Sequence, residues 1–185
     1  MGTGTIFVKN VGGVFYGPAS DLSSATLEIA SLAIDKMSFE ISPVVGTFID
    51  HRLACSSDNE NVHNTVYVGS RLVPYANAPM ENFCLGTDTA KDVTLDLSLL
   101  EEPLKTTRES PARSLTFAAG TTITVDPGTR LPPFGSKSMQ LVAWSEAPAD
   151  VTFKLPSELG RRAYRLDVRD TGLYMSCDGM LIIVR

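Results

Sequence analysis

Residues 92–99 read Asp92-Val93-Thr94-Leu95-Asp96-Leu97-Ser98-Leu99. Val93, Leu95, Leu97 and Leu99 alternate with polar partners over the whole stretch. That period of two is the signature of a strand with one face buried and one face wet. Working outward, the same period recurs. Met37, Phe39 and Ile41 alternate in 36–41, and Val66, Val68 and Leu72 mark 65–73, where Gly69 predicts a bulge. Residues 115–117 and 121–125 flank Gly120 as a candidate hairpin, and 139–144, 150–155, 163–168, 172–177 and 180–184 follow at short intervals. Thr5–Val8 and 14–16 open the chain on either side of Gly12-Gly13. Asp178-Gly179 is a two-residue hairpin signal.

About a dozen short strands at this spacing predict an all-β chain, an antiparallel β-sandwich or barrel of ten to twelve strands. One segment competes. In 20–34, Leu22, Ala25, Ile29 and Leu32 fit helical spacing behind a Ser20 or Asp21 cap, although Leu27 and Ile29 also read as strand. At most one short helix is therefore expected, over about 20–34. No repeat of 20–50 residues is evident. The polar stretch 101–113 is a candidate hinge or long loop inside a single domain, 1–185.

Length and composition agree with a packed core. The chain has 185 residues, of which 43% are hydrophobic and 20% charged. This composition excludes a disordered or collagen-like chain. No apolar run approaches the length of a membrane-crossing helix, and Met1–Asn10 lacks the apolar centre of a secretory signal, so no membrane partner is expected. Net charge is −5, with neither a basic stripe nor a basic N-terminal arm, so sequence-specific nucleic-acid binding is not expected. Cys55, Cys84 and Cys177 are an odd, widely spaced set that reads as free thiols rather than a disulfide framework.

Chemistry-bearing patterns are sparse. His51, Cys55, Asp58 and His63 share one polar stretch, but their spacing departs from the paired ligands of a structural zinc site. Glu101 and Glu102 are adjacent, and neighbours on an extended chain point apart rather than converging on one substrate atom. Neither GxxxxGK[ST] nor GxGxxG occurs. The reading is therefore not an enzyme, with no cofactor and no metal, and a metal hydrolase centred on 50–63 is a distant alternative.

Two groups of residues are candidates for partner contact. Arg161, Arg162, Arg165 and Arg169 form the one basic cluster. On a strand, Arg165 would share the outward face with Asp167 and Arg169, opposite Tyr164, Leu166 and Val168. The cluster is either an anion-binding patch or a charge ladder guarding a sheet edge. Pro132, Pro133 and Phe134 lie in the rigid loop 126–135. Trp144 with Tyr16, Tyr67 and Tyr75 would serve a β-sandwich module binding carbohydrate or protein.

The opening TIFVKNVGGVFYGPAS (5–20), followed by IDKMSFEISP (34–43), resembles the start of tail-tube proteins of long-tailed bacteriophages. SLTFAAGTTITVDPGTRLPP (114–133) and the closing strands are similar in texture to virion β-domains, including shell and decoration proteins. The resemblance implies a non-enzymatic virion subunit, made in the host cytoplasm, whose partners are copies of itself and other virion proteins. It also implies a ring of copies with an acidic lumen, which net −5 would suit by keeping DNA from sticking.

Overall fold

The computed structural model describes residues 5–9, 26–30, 45–50, 65–79, 82–109 and 112–177. Fourteen strands and one short helix lie in these segments. A ten-stranded sheet contains β1 (Thr5–Lys9), β2 (Thr26–Ala30), β3 (Val45–Asp50), β4 (Thr65–Pro74), β5 (Asn82–Leu85) and β6 (Asp92–Asp96). To these it adds β8 (Thr107–Arg108), β9 (Arg113–Phe117), β10 (Thr121–Asp126) and β12 (Val151–Lys154). A four-stranded sheet runs in the order β13 (Tyr164–Arg169), β14 (Gly172–Cys177), β11 (Met139–Ala143), β7 (Leu104–Lys105). The all-β class holds.

The direction of pairing differs from the antiparallel arrangement expected. In the large sheet every pair is parallel except β8 with β9. Alternation along a strand is the same in either direction, so period two cannot distinguish them. Parallel neighbours need a long connection, and the segments between successive paired strands, such as 10–25 and 51–64, are long enough to supply it. Gly120 illustrates the point. It was expected to close a hairpin, yet β9 pairs with β5 while β10 pairs with β6 and β12. Gly120, at φ 69°, is a corner between two stacks of strands.

The large sheet is thus a curled, half-barrel-like stack of successive coils. Strand β4 links its two faces: residues 65–68 pair with β5, and Arg71 and Leu72 pair with β6. At the bend, Gly69 and Ser70 face the single residue Gly46 of β3, a bulge where Gly69 predicted one.

The register exposes a repeat that reading along the chain did not find. Thr5, Thr26, Thr47, Arg71, Thr94, Thr124 and Lys154 occupy one column across seven strands. The next column holds Ile6, Leu27, Phe48, Leu72, Leu95 and Val125. Its members Phe48, Leu72, Leu95 and Val125 are buried. In four coils a polar or cationic residue of the first column is followed by a buried apolar residue of the second: Thr47–Phe48, Arg71–Leu72, Thr94–Leu95 and Thr124–Val125. Coil lengths vary over roughly 20–30 residues, which hides the period from a fixed-spacing search.

Three further expectations change. Residues 26–30, inside the candidate helix 20–34, form strand β2, hydrogen-bonded in parallel on both sides. Ladder bonds to two neighbours outweigh a weak helical pattern. The helix lies instead at Ser157–Arg161 (α1), one turn following Pro156 with Leu159 turned inward. The strand at 92–99 ends at Asp96, so Leu97 is fully buried whereas Leu99, on the following turn, is 41% exposed. Residues 45–50 and 82–85 are strands that the pattern did not signal, being short and interrupted by Gly46 or Cys84. The strands read at 14–16, 36–41 and 180–184 lie outside the described residues.

The segment 101–113 has two short strands and ties the sheets together. Leu104 is buried, β7 pairs with β11, and β8 pairs with β9. Thr106 N–H donates to Ala143 O (2.9 Å), and Thr106 O accepts from Leu115 N–H (2.7 Å). Leu104, Leu141, Leu173 and Met175 join Phe48, Leu95 and Ile123 in one hydrophobic cluster.

Candidate functional site

The four arginines are distributed over two elements. Arg161 closes α1 and Arg162 follows it, while Arg165 and Arg169 lie on β13; all four are exposed. Ala163, at φ 65°, turns the chain from helix to strand between them. On β13, Arg165, Asp167 and Arg169 share the outer face as expected. Arg169 Nε donates to Asp167 Oδ2 (2.6 Å), and its guanidinium lies 4.3 Å over the Tyr174 ring. Tyr164 and Leu166 pack against the core, but Val168, expected beside them, is 48% exposed. Arg169 is thus already engaged by a carboxylate and a ring, which makes this face a charge ladder.

The loop after β10 is built from its end inward. Asp126 Oδ1 accepts from Gly128 N–H (2.9 Å), which tightens the turn, and Arg130 Nη1 donates to Glu102 O (2.9 Å), which fastens the loop to the 101–103 turn. Pro132 is buried and Pro133 exposed. Pro133 O accepts from Ser136 N–H (3.1 Å) and Ser136 Oγ (2.6 Å), so a tight turn through Gly135 presents Phe134, 56% exposed, at its tip. A rigidly held, solvent-facing phenyl is suited to a partner contact.

Trp144 belongs to the core. It is 8% exposed, its Nε1–H donates to Arg169 O (2.9 Å), and its ring stacks on Phe153 at 5.8 Å. Beside it opens a cleft of about 310 Å³ lined by Thr106, Leu115, Phe117, Trp144, Glu146 and Pro148 among others. The lining is aromatic and apolar with one carboxylate. Tyr67 and Tyr75 are exposed elsewhere on β4 and just beyond it; Tyr16 lies outside the described residues.

Of the metal candidates, His51, Cys55, Asp58 and His63 also lie outside the described residues. Glu101 and Glu102 are both exposed, and Glu102 Oε2 accepts from Asn77 Nδ2 (2.7 Å), a structural tie between turns. Cys84 and Cys177 are free thiols.

Two ionic side chains are buried among the described residues, Arg113 on β9 and Asp96 at the end of β6. Of these, Asp96 has a shifted carboxyl. Burial pushes its carboxyl up, but Arg71, the Ser98 side chain and the Ser98 N–H together hold it below its ordinary value. An Arg71 Nη2 donates to Oδ2, and Ser98 N–H donates to Oδ1 (2.9 Å). This group stabilises a turn and faces no cleft lining given above.

Sequence patterning did not single out the sheet edges. Among the described residues, β12 pairs with β10 alone and β1 with β2 alone, so each has one unpaired side. The signal was available in the repeated Thr-plus-apolar columns, but only once the strands are aligned. The chain matches no family model, no curated protein and no solved structure.

Proposed function

We propose that this chain is a non-enzymatic virion structural subunit that associates with copies of itself through sheet edges and loops. The observation that carries the reading is β12, a parallel strand whose second side is unpaired among the described residues. Its four residues hold one charge, Lys154, in contrast to the charge ladder on β13. The exposed Phe134 turn adds a separate apolar contact, and net −5 fits a surface that DNA slides past. The tail-tube role is the narrower form of the reading and rests on the opening segment's resemblance; shell and decoration roles are its alternatives. Such a subunit is made in the host cytoplasm and meets other virion proteins. Negative-stain microscopy and light scattering of concentrated protein test it: rings, tubes or shells are expected, and a strictly monomeric species overturns it.

The cleft beside Trp144 favours a second reading, a β-module binding carbohydrate or a protein segment. Saturable quenching of Trp144 fluorescence by a glycan, with no assembly, would select it.

A further inference from the structure

We propose that copies of this chain stack head to tail, with β1 of one copy adding to β12 of the next so that the parallel ladder continues across the contact. The inference rests on the self-association reading and names its interface. Along the path β1, β2, β3, β4, β6, β10, β12 every pairing is parallel. The two end strands therefore run in the same direction, and the unpaired side of β12 is the side that each inner strand offers to its neighbour. β1 presents the opposite side. The ends are complementary to each other, and neither is complementary to itself in parallel.

The columns carry the register. Lys154 ends the outer column that Thr5 begins, so continuing the ladder puts Thr5 of one copy across from Lys154 of the other. Leu155, one residue on, then faces Ile6 and extends the apolar column. Val151 and Phe153 lie half-buried against the core at the end of the stack, where an added strand would cover them. A two-fold pairing of β12 with itself would be antiparallel and would leave both β1 edges open. β7, β8 and β13 are also paired on one side only among the described residues; β7 and β8 are two residues long, and β13 places Arg165, Asp167 and Arg169 along its outer face, a pattern that discourages strand addition. A head-to-tail contact of this kind closes into rings or runs on as a filament.

Cysteine cross-linking in mixtures tests the register. Adjacent strands lie about 4.8 Å apart, within disulfide reach. Thr5→Cys protein mixed with Lys154→Cys protein under mild oxidation is expected to give about tenfold more covalent dimer than either variant alone. Wild-type protein, with its own cysteines, sets the background. Equal cross-linking by Lys154→Cys alone would overturn the proposal in favour of a two-fold contact, and equal cross-linking of Thr5→Cys with Thr152→Cys would overturn the register. If wild-type protein assembles but the mixture gives no cross-link, this interface is wrong while self-association stands. If wild-type protein stays monomeric, the broader reading falls with it. Assembly by a chain ending at Cys177 when the full chain is monomeric would assign β12 to the chain's own 178–185 and overturn the proposal. Should the variants misfold, hydrogen exchange on wild-type protein decides. Amides of 5–9 and 151–154 should gain protection together as concentration rises, and unchanged protection overturns the contact.

Discussion

Asp96 shows how one side chain ties stability to pH. Its carboxyl is held below the ordinary value of 3.8 because Arg71 and Ser98 outweigh the effect of burial. A depressed carboxylate stabilises the fold above its unfolded value, and that contribution disappears as pH falls through the folded value. Urea midpoints of wild type and Asp96→Asn should therefore converge on acidification below about pH 4. Parallel curves would remove Asp96 from the acid response. The pair Leu97 and Leu99 separates core from turn within three residues. Leu97→Ala should cost about 2–5 kcal/mol because Leu97 is wholly enclosed. Leu99→Ala should change urea stability by no more than about 0.5 kcal/mol. Ala163 holds a left-handed conformation that a Cβ disfavours, so Ala163→Gly should raise stability by about 1 kcal/mol in the same assay.

Among elements, the turns stack as the strands do. Asp96 and Asp126 are register partners at the ends of β6 and β10, and each carboxylate caps the backbone N–H two residues on. Gly128 lies so close to the turn below that an added Cβ would meet Ser98 Cα at 2.6 Å, and its φ is 61°. Gly128→Ala should therefore destabilise by more than about 1 kcal/mol, measured by thermal melting; a neutral result would mean the two turns do not touch. This scale also marks where reading along the chain reached its limit. The alternation at 92–96 and 121–125 was legible because each strand buries one face. The helical pattern at 20–34 misled because Ile29 belongs to both the helical and the strand pattern, and pairing with β1 and β3 chose between them. The Thr column escaped notice because Arg71 interrupts it and the coils differ in length. In the candidate contact regions, the Phe134 loop was legible from its prolines, whereas the β12 edge depends on which strands become neighbours.

At the scale of the molecule, a stack of parallel coils has two unlike ends, and the small sheet shares its core through Leu104, Leu141 and Leu173. Deleting residues 1–9 removes β1 but leaves that shared core, so the shortened chain should melt cooperatively while losing self-association in light scattering. Unchanged assembly after the deletion would show that contacts lie elsewhere, with the Phe134 turn the next to test by Phe134→Ser.

What the amino-acid sequence determined alone is local: alternating polarity that only a pleated chain can satisfy, turns set by Asp, Pro and Gly, and a net charge of −5. What the tertiary structure decided is which strands lie side by side and in which direction. Period two is indifferent to direction, so the parallel stacking, the buried Phe48–Leu72–Leu95–Val125 column and the half-paired β12 edge exist only once distant coils meet.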